Sequence, residues 1–237
     1  MIDLVLILIF AGVTWAVAGE GPFGAVLVLI SLVLSGLLAM NLFEPAAEMM
    51  QNILGSYEWQ HRWDIIVFLG LFSAGVWGLR EATERIMPTT LQVAGLFYES
   101  RWLFGAAAGY AMMAILLTAL HMAPLGREFI GFKPERNNLF DSVAPDRQWM
   151  GFTQYVSERV MRSGSNGPIF DGAEFPRIAE DPATTQTWSS FPIRYAQRRE
   201  LYAGSDAGTA GPPATSGPPT SAPPPTAAPS GGGASGF

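Results

Sequence analysis

Four long apolar runs in the first 125 residues limit what this chain can fold into. They cover residues 2–18, 22–43, 65–79 and 102–122. A helix of roughly 17–21 residues is about 26–31 Å long, which matches a hydrocarbon core of ~30 Å. The third run is long enough only if its helix begins near Arg62 and continues past Leu79. The runs therefore predict four membrane-spanning helices.

Charged side chains are distributed very unevenly along the chain. Residues 1–125 hold 13 of them, residues 126–202 hold 20, and residues 203–237 hold only Asp206. A soluble domain is normally about one quarter charged, so the first part lacks the polar surface that water requires. We therefore predict a four-span transmembrane domain, a partly ordered soluble or membrane-surface extension, and a tail.

The tail has a composition that does not support a folded core. Pro, Gly, Ala, Ser and Thr make up 33 of the 35 residues in 203–237, and such a segment buries too little apolar area to offset its ordering entropy. The predicted fold class is all-α: an integral membrane four-helix bundle, a helical or irregular extension and a disordered tail.

The first two runs are joined by the short sequence Gly19-Glu20-Gly21-Pro22, which predicts an antiparallel hairpin. A cleaved signal peptide is the alternative. Against it, the first residues include Asp3 and no basic residue, whereas a signal peptide needs basic residues there. An even number of spans places both termini on one side. The count of flanking Lys and Arg favours cytoplasmic termini.

Each run also repeats small residues at every fourth position. Spacing of four places each set on one helix face, where small side chains let two backbones approach closely. These faces can meet within one chain or between copies, so a homo-oligomer is left open. The sets are Gly12 and Ala16; Ser31, Ser35 and Ala39; Gly70, Ala74 and Gly78; and Gly105 and Gly109.

The extension contains twelve aromatic residues, which indicates that it is attached to the bundle or to the membrane. Pro145 is suited to begin a helix, and Gly164 to end it. Two interpretations remain: an interfacial helix on anionic lipid, or a helix packed on the rest of the segment, which we favour. The apolar face predicted for this helix consists of Trp149, Phe152, Val156 and Val160.

The sequence contains little that points to catalysis. Cysteine is absent, which excludes disulfides, thiol catalysis and Cys-ligated metals, and no nucleotide-binding or hydrolase motif occurs. His121 ends the fourth run without a nearby second ligand, so we predict a cation or hydrogen-bond partner at a helix end. Asp3 and Asp64 are predicted to cap their helices. We expect no catalytic residue, cofactor or metal.

Two further binding classes are not expected. No block of basic residues occurs, which argues against nucleic-acid binding. Asp171, Glu174, Glu180 and Asp181 do not have the spacing of an EF-hand, so an exposed acidic loop is predicted there rather than a calcium site.

Several short motifs occur in the order and spacing of a known family. The chain opens with Met1-Ile2-Asp3, and a Gly-containing turn over residues 19–24 leads to the second run. That run ends with Ala39-Met40-Asn41-Leu42-Phe43-Glu44-Pro45, and the fourth run opens with Gly105-Ala106-Ala107-Ala108-Gly109 after Arg101. In these features residues 1–125 resemble the CvpA family of bacterial inner-membrane proteins, named for colicin V production.

The resemblance implies a non-enzymatic role in colicin V-type toxin production or export and in envelope homeostasis. Its implied partners are secretion or envelope proteins, together with the lipid bilayer. The chain departs from the family at Glu20, where relatives usually carry basic residues. The alternative function is a small oligomeric channel or transporter. The few hydroxyls in the runs argue against a polar path within one chain.

Overall fold

The computed structural model describes residues 2–54, 62–86, 95–126, 128–134, 137–161, 170, 191–192, 194–196 and 199. Its helices are α1 (Ile2–Ala18), α2 (Gly21–Leu54), α3 (Trp63–Ile86), α4 (Ser100–Met122) and α5 (Pro145–Val156). A 3-10 helix, Gly95–Glu99, leads into α4, and a π-helical turn, Ser157–Met161, follows α5. Within these residues the only β pairing is two isolated bridges, so the predicted all-α class is confirmed.

The first four helices form an up-down-up-down bundle. Helix α1 packs mainly on α4, α4 also packs on α2, and α2 packs on α3, so α1 and α3 are the outer helices. In length and composition α2, α3 and the segment from Phe97 to Met122 are able to cross a membrane, whereas α1 is a shorter apolar helix of 17 residues. These are the helices of a membrane protein.

Two helices extend beyond their apolar runs. Helix α3 includes the flanking residues that the third run needs to reach membrane length. The second apolar run ends at Phe43, but helix α2 does not end there. It continues through Pro45 to Leu54. Proline already has a helical φ angle and removes one hydrogen bond. The residues that follow it are good helix formers, and buried Ala47 holds this part against the protein.

Ion pairs of Arg80 and Arg85 lie at the end of the bundle where α1 turns into α2. Two i,i+4 pairs lie within α3: Arg80–Glu84 at 3.1 Å and Arg85–Glu81 at 2.8 Å. Arg80 also contacts Glu20 at 2.7 Å, so the α1–α2 turn is tied to the last turns of α3.

The small residues of α4 and α2 form close helix contacts. A Cβ atom at Gly105 would lie 2.8 Å from the carbonyl oxygen of Thr14, and one at Gly109 would lie 2.7 Å from that of Phe10. Both positions are thus in direct contact with the backbone of α1. On α2, Ser35 is buried against Gly75 of α3.

The predicted small residues of the two outer helices make no close contact with the part of the chain that the structure describes. Added Cβ atoms at Gly12, Gly70 and Gly78 would meet nothing within 4 Å. Helix α3 instead contacts α2 through Gly75, one position away from its predicted set, and buries Phe68 and Phe72. Spacing of four therefore identified packing faces on α2 and α4, but outward faces on α1 and α3.

We predict that Gly109→Leu lowers the stability of the bundle by about 1–3 kcal/mol, because the side chain must displace the α1 backbone. Gly70→Leu is the matched control, since its side chain enters open space. Reversible unfolding in mixed micelles measures both variants. Equal stability of the two would show that α4 does not approach α1 closely at Gly109.

Candidate functional site

The extension joins the bundle at the end where α1 and α3 begin. The backbone N–H of Phe140 donates to Oδ1 of Asp3 at 2.7 Å, and the Tyr195 hydroxyl donates to Oδ2 of Asp64 at 3.0 Å. Helices α2 and α4 return to this end, which we call the extension end. The described part of the extension therefore packs on the bundle.

A histidine and an aspartate form a fully buried pair at the extension end. His121 lies in the last turn of α4 and Asp146 in the first turn of α5, one residue after Pro145. His121 Nε2 and Asp146 Oδ2 are 2.8 Å apart, and both side chains are 0% exposed. An ionised carboxylate only accepts hydrogen bonds, so with ionised Asp146 the proton lies on Nε2.

Aromatic rings cover the pair. The ring centroid of His121 is 4.9 Å from that of Phe132 and 6.3 Å from that of Phe191, both in edge-on geometry. Phe191 in turn contacts Phe43 of α2 and Tyr195. We call Phe43, Phe132, Phe191 and Tyr195 the aromatic shell. It keeps water from the pair and lowers the local dielectric, which strengthens the hydrogen bond.

A third charged side chain is buried in the same region. Arg199 is 2% exposed, and its guanidinium carbon lies 5.4 Å from the centroid of Phe132, the ring that also contacts His121. This is a cation–π contact in a desolvated setting. A buried guanidinium thus lies against the same ring that covers His121.

Helix α5 is positioned by a large side chain as well as by the pair. A Cβ atom at Gly36 would lie 2.5 Å from Trp149 and 2.8 Å from Ile115, so the indole occupies the space that this glycine leaves between α2 and α4. The predicted start of α5 at Pro145 is confirmed. We predicted that the helix packs on the rest of the extension, but it packs mainly on α4 of the bundle.

The predicted apolar face of α5 was wrong at two positions. Phe152 and Val160 are exposed, whereas Asp146, Met150 and Thr153 are buried beside Trp149. The rotation of the helix is set by the bond of Asp146 to His121 and by the space at Gly36. The pattern of apolar residues alone contains neither contact.

Each side chain of the pair uses one polar atom for the bond between them, and the second atom of each is unbonded within the described residues. These second atoms are His121 Nδ1 and Asp146 Oδ1. In a Ser-His-Asp arrangement the second ring nitrogen faces a nucleophile. Here no described hydroxyl bonds to it, and no described group of three acidic or histidine side chains is placed to bind a metal ion. What the pair does in this structure is hold α5 against α4.

The sequence located one half of this site. His121 is a hydrogen-bond partner at a helix end, as predicted, but Asp146 was not singled out. The only local signal for it was an acid directly after a helix-starting proline. The predicted caps were wrong in position: Asp3 and Asp64 lie inside the first turns of α1 and α3, and both accept hydrogen bonds from the extension.

Some predictions fall outside the described residues. These are the end of the α5 region at Gly164, the acidic loop of Asp171, Glu174, Glu180 and Asp181, and the tail 203–237.

Comparison with known proteins found no matching family model, curated protein or solved structure.

We predict that His121→Leu destabilises the protein by about 3–5 kcal/mol, because it leaves the carboxylate of Asp146 buried without a partner. Asp146→Leu should have a similar effect. The double variant should be more stable than either single variant, since it removes both buried polar groups. Unfolding in mixed micelles measures all three, and strictly additive losses would contradict the pairing.

Proposed function

We propose that this chain is a CvpA-like, non-enzymatic protein of the bacterial inner membrane. Its role is to support the production or export of colicin V-type toxins and the upkeep of the envelope. Its termini and extension lie on the cytoplasmic side, and its partners are secretion or envelope proteins. The observation that carries the proposal is that residues of the CvpA-like motifs occupy the main contact points of the bundle.

Residues from three of these motifs have structural roles that support the proposal. Gly105 and Gly109 contact the α1 backbone, and Phe43 of α2 packs on Phe68 of α3 with ring centroids 6.0 Å apart. Asp3 holds the extension through Phe140. Motifs that build the bundle in this way are those expected of a shared membrane scaffold.

The polar groups of the bundle support a non-enzymatic role. Thr118 donates to the carbonyl oxygen of Ala114, and Asn41 donates to that of Leu37, so both side chains bond within their own helix. His121 and Asp146 bond to each other and are closed off from solvent. A substrate in water would meet neither member of this pair.

The outward small-residue faces favour a second candidate, an oligomeric channel or transporter. Helices α1 and α3 lie on the outside of the bundle, and Gly12, Gly70 and Gly78 leave open space there. Neighbouring copies that used these faces would enclose a path between them.

An export assay tests the first proposal. In a bacterium that secretes a colicin V-type toxin, deletion of this chain should lower the toxin activity in the medium while toxin accumulates in the cells. The parent and Gly70→Leu should restore export, and Gly109→Leu should not. Equal export with and without the chain would overturn the proposal.

Crosslinking and ion flux together test the second candidate. Because the parent has no cysteine, Ala74→Cys on the outward face of α3 can be oxidised selectively, with buried Ala39→Cys as the control. An oligomeric channel predicts disulfide-linked dimers of Ala74→Cys and ion flux from liposomes. Monomers without flux would exclude it.

A further inference from the structure

Two tight turns in the extension have an unusual backbone. In the first, Ile130 and Gly131 have φ angles of 52° and 92°; in the second, Phe140 and Asp141 have φ angles of 52° and 57°. The first turn is closed by reciprocal backbone hydrogen bonds between Phe129 and Phe132. Positive φ at both central residues is the pattern of a type I′ turn, which strongly favours Gly, Asn and Asp.

Apolar side chains occupy these strained positions and point away from the protein. Ile130 is 51% exposed and Phe140 is 61% exposed. A β-branched or bulky residue in the left-handed region is an outlier that persists only where its surroundings fix it. Both turns thus hold an apolar residue outward, in conformations that Gly or Asn would adopt more readily.

The bases of the turns are anchored beside the start of α1. Phe132 and Leu139 pack with Ile2 and Leu6 of α1 and Leu117 of α4. The backbone N–H of Phe140 donates to Asp3 in the first turn of the same helix. The tips of the two turns, Ile130 and Phe140, are therefore fixed at the level where an apolar helix enters the bilayer.

The surface beside the tips is already apolar. Leu4, Val5 and Leu8 on the outer side of α1 are exposed, as expected for a helix that faces lipid. The tips continue this surface toward the membrane boundary. Polar groups lie next to them, including the ion pair between Lys133 and Glu128 at 2.8 Å. Apolar tips among polar groups at the end of a spanning helix fit the bilayer interface.

We propose that Ile130 and Phe140 are inserted into the lipid interface of the leaflet at the extension end. The extension is then anchored twice, to the bundle through His121 and Asp146 and to the bilayer through the two turns. The lipid surface is bound by apolar contact. This inference rests on the membrane placement within the proposed function and not on the role in toxin export.

Spin labels in the full-length protein test the insertion. Single cysteines at Ile130 and Phe140 are labelled in vesicles of phosphatidylethanolamine and phosphatidylglycerol, and the accessibility of each label to oxygen and to a water-soluble nickel chelate is measured. Leu8→Cys is the lipid reference. Ala82→Cys, in the charged last turns of α3, is the water reference. Phe129→Cys repeats the test at a position without positive φ.

We expect the ratio of oxygen to nickel accessibility at both tips to exceed that of Ala82 severalfold and to stay below that of Leu8, which lies deeper in the bilayer. A ratio equal to that of Ala82 would show that the turns lie in water and would overturn the proposal. Low access to both reagents would show protein contact instead of lipid and would also overturn it. If the ratio at Leu8 equals that of Ala82, the membrane placement is wrong and so is this proposal. The result of the export assay does not depend on this measurement.

Discussion

The buried hydrogen bond between His121 and Asp146 determines how the extension and the bundle fit together. Two ionisable side chains at 0% exposure are tolerated only when they satisfy each other, because an isolated charge loses its hydration without compensation. The bond fixes the position of α5 on α4 and its rotation. That rotation places Trp149 in the space above Gly36, so a polar contact and an apolar contact specify the same arrangement.

The aromatic shell follows from the same constraint. Phe132 comes from a turn of the extension and Phe191 from its last described helical stretch, and both cover the imidazole of His121. Phe191 connects this cover to Phe43 on α2, so the pair is linked to a second helix of the bundle. The imidazole of His121 consequently lies between two apolar clusters, one containing Phe43 and Phe191 and the other containing Phe132.

Much of the bundle could be predicted from the sequence, because a membrane helix is specified by local composition. The apolar runs located all four helices, and flanking residues correctly lengthened α3. The end of α2 was missed because a helix continues past a proline only if later contacts offset the lost hydrogen bond. Here the packing of Ala47 supplies such a contact. The pairing of His121 with Asp146 was missed because 25 residues separate the two, and no periodicity relates them.

The small-residue faces show the same limit. A spacing of four places residues on one face, but the partner helix decides whether that face is used. Gly109 is used because α1 lies against it, while Gly70 is not because α2 contacts α3 at Gly75, on a neighbouring face. Helix order in space, with α1 beside α4 rather than mainly beside α2, is a property of the whole bundle. Sequence patterns therefore predicted the existence of close contacts better than their locations.

The two ends of the bundle are held by different kinds of interaction, and this has a consequence for its dynamics. At the α1–α2 turn, Arg80 joins Glu20 through side chains that are partly exposed, and such pairs contribute about 0–1 kcal/mol each. At the extension end, the pair of His121 and Asp146 is desolvated. Removing one partner of such a pair lowers the stability of the fold by about 3–5 kcal/mol. Local opening is governed by the weakest contacts. The pair at the extension end is therefore harder to open than the ion pair at the α1–α2 turn.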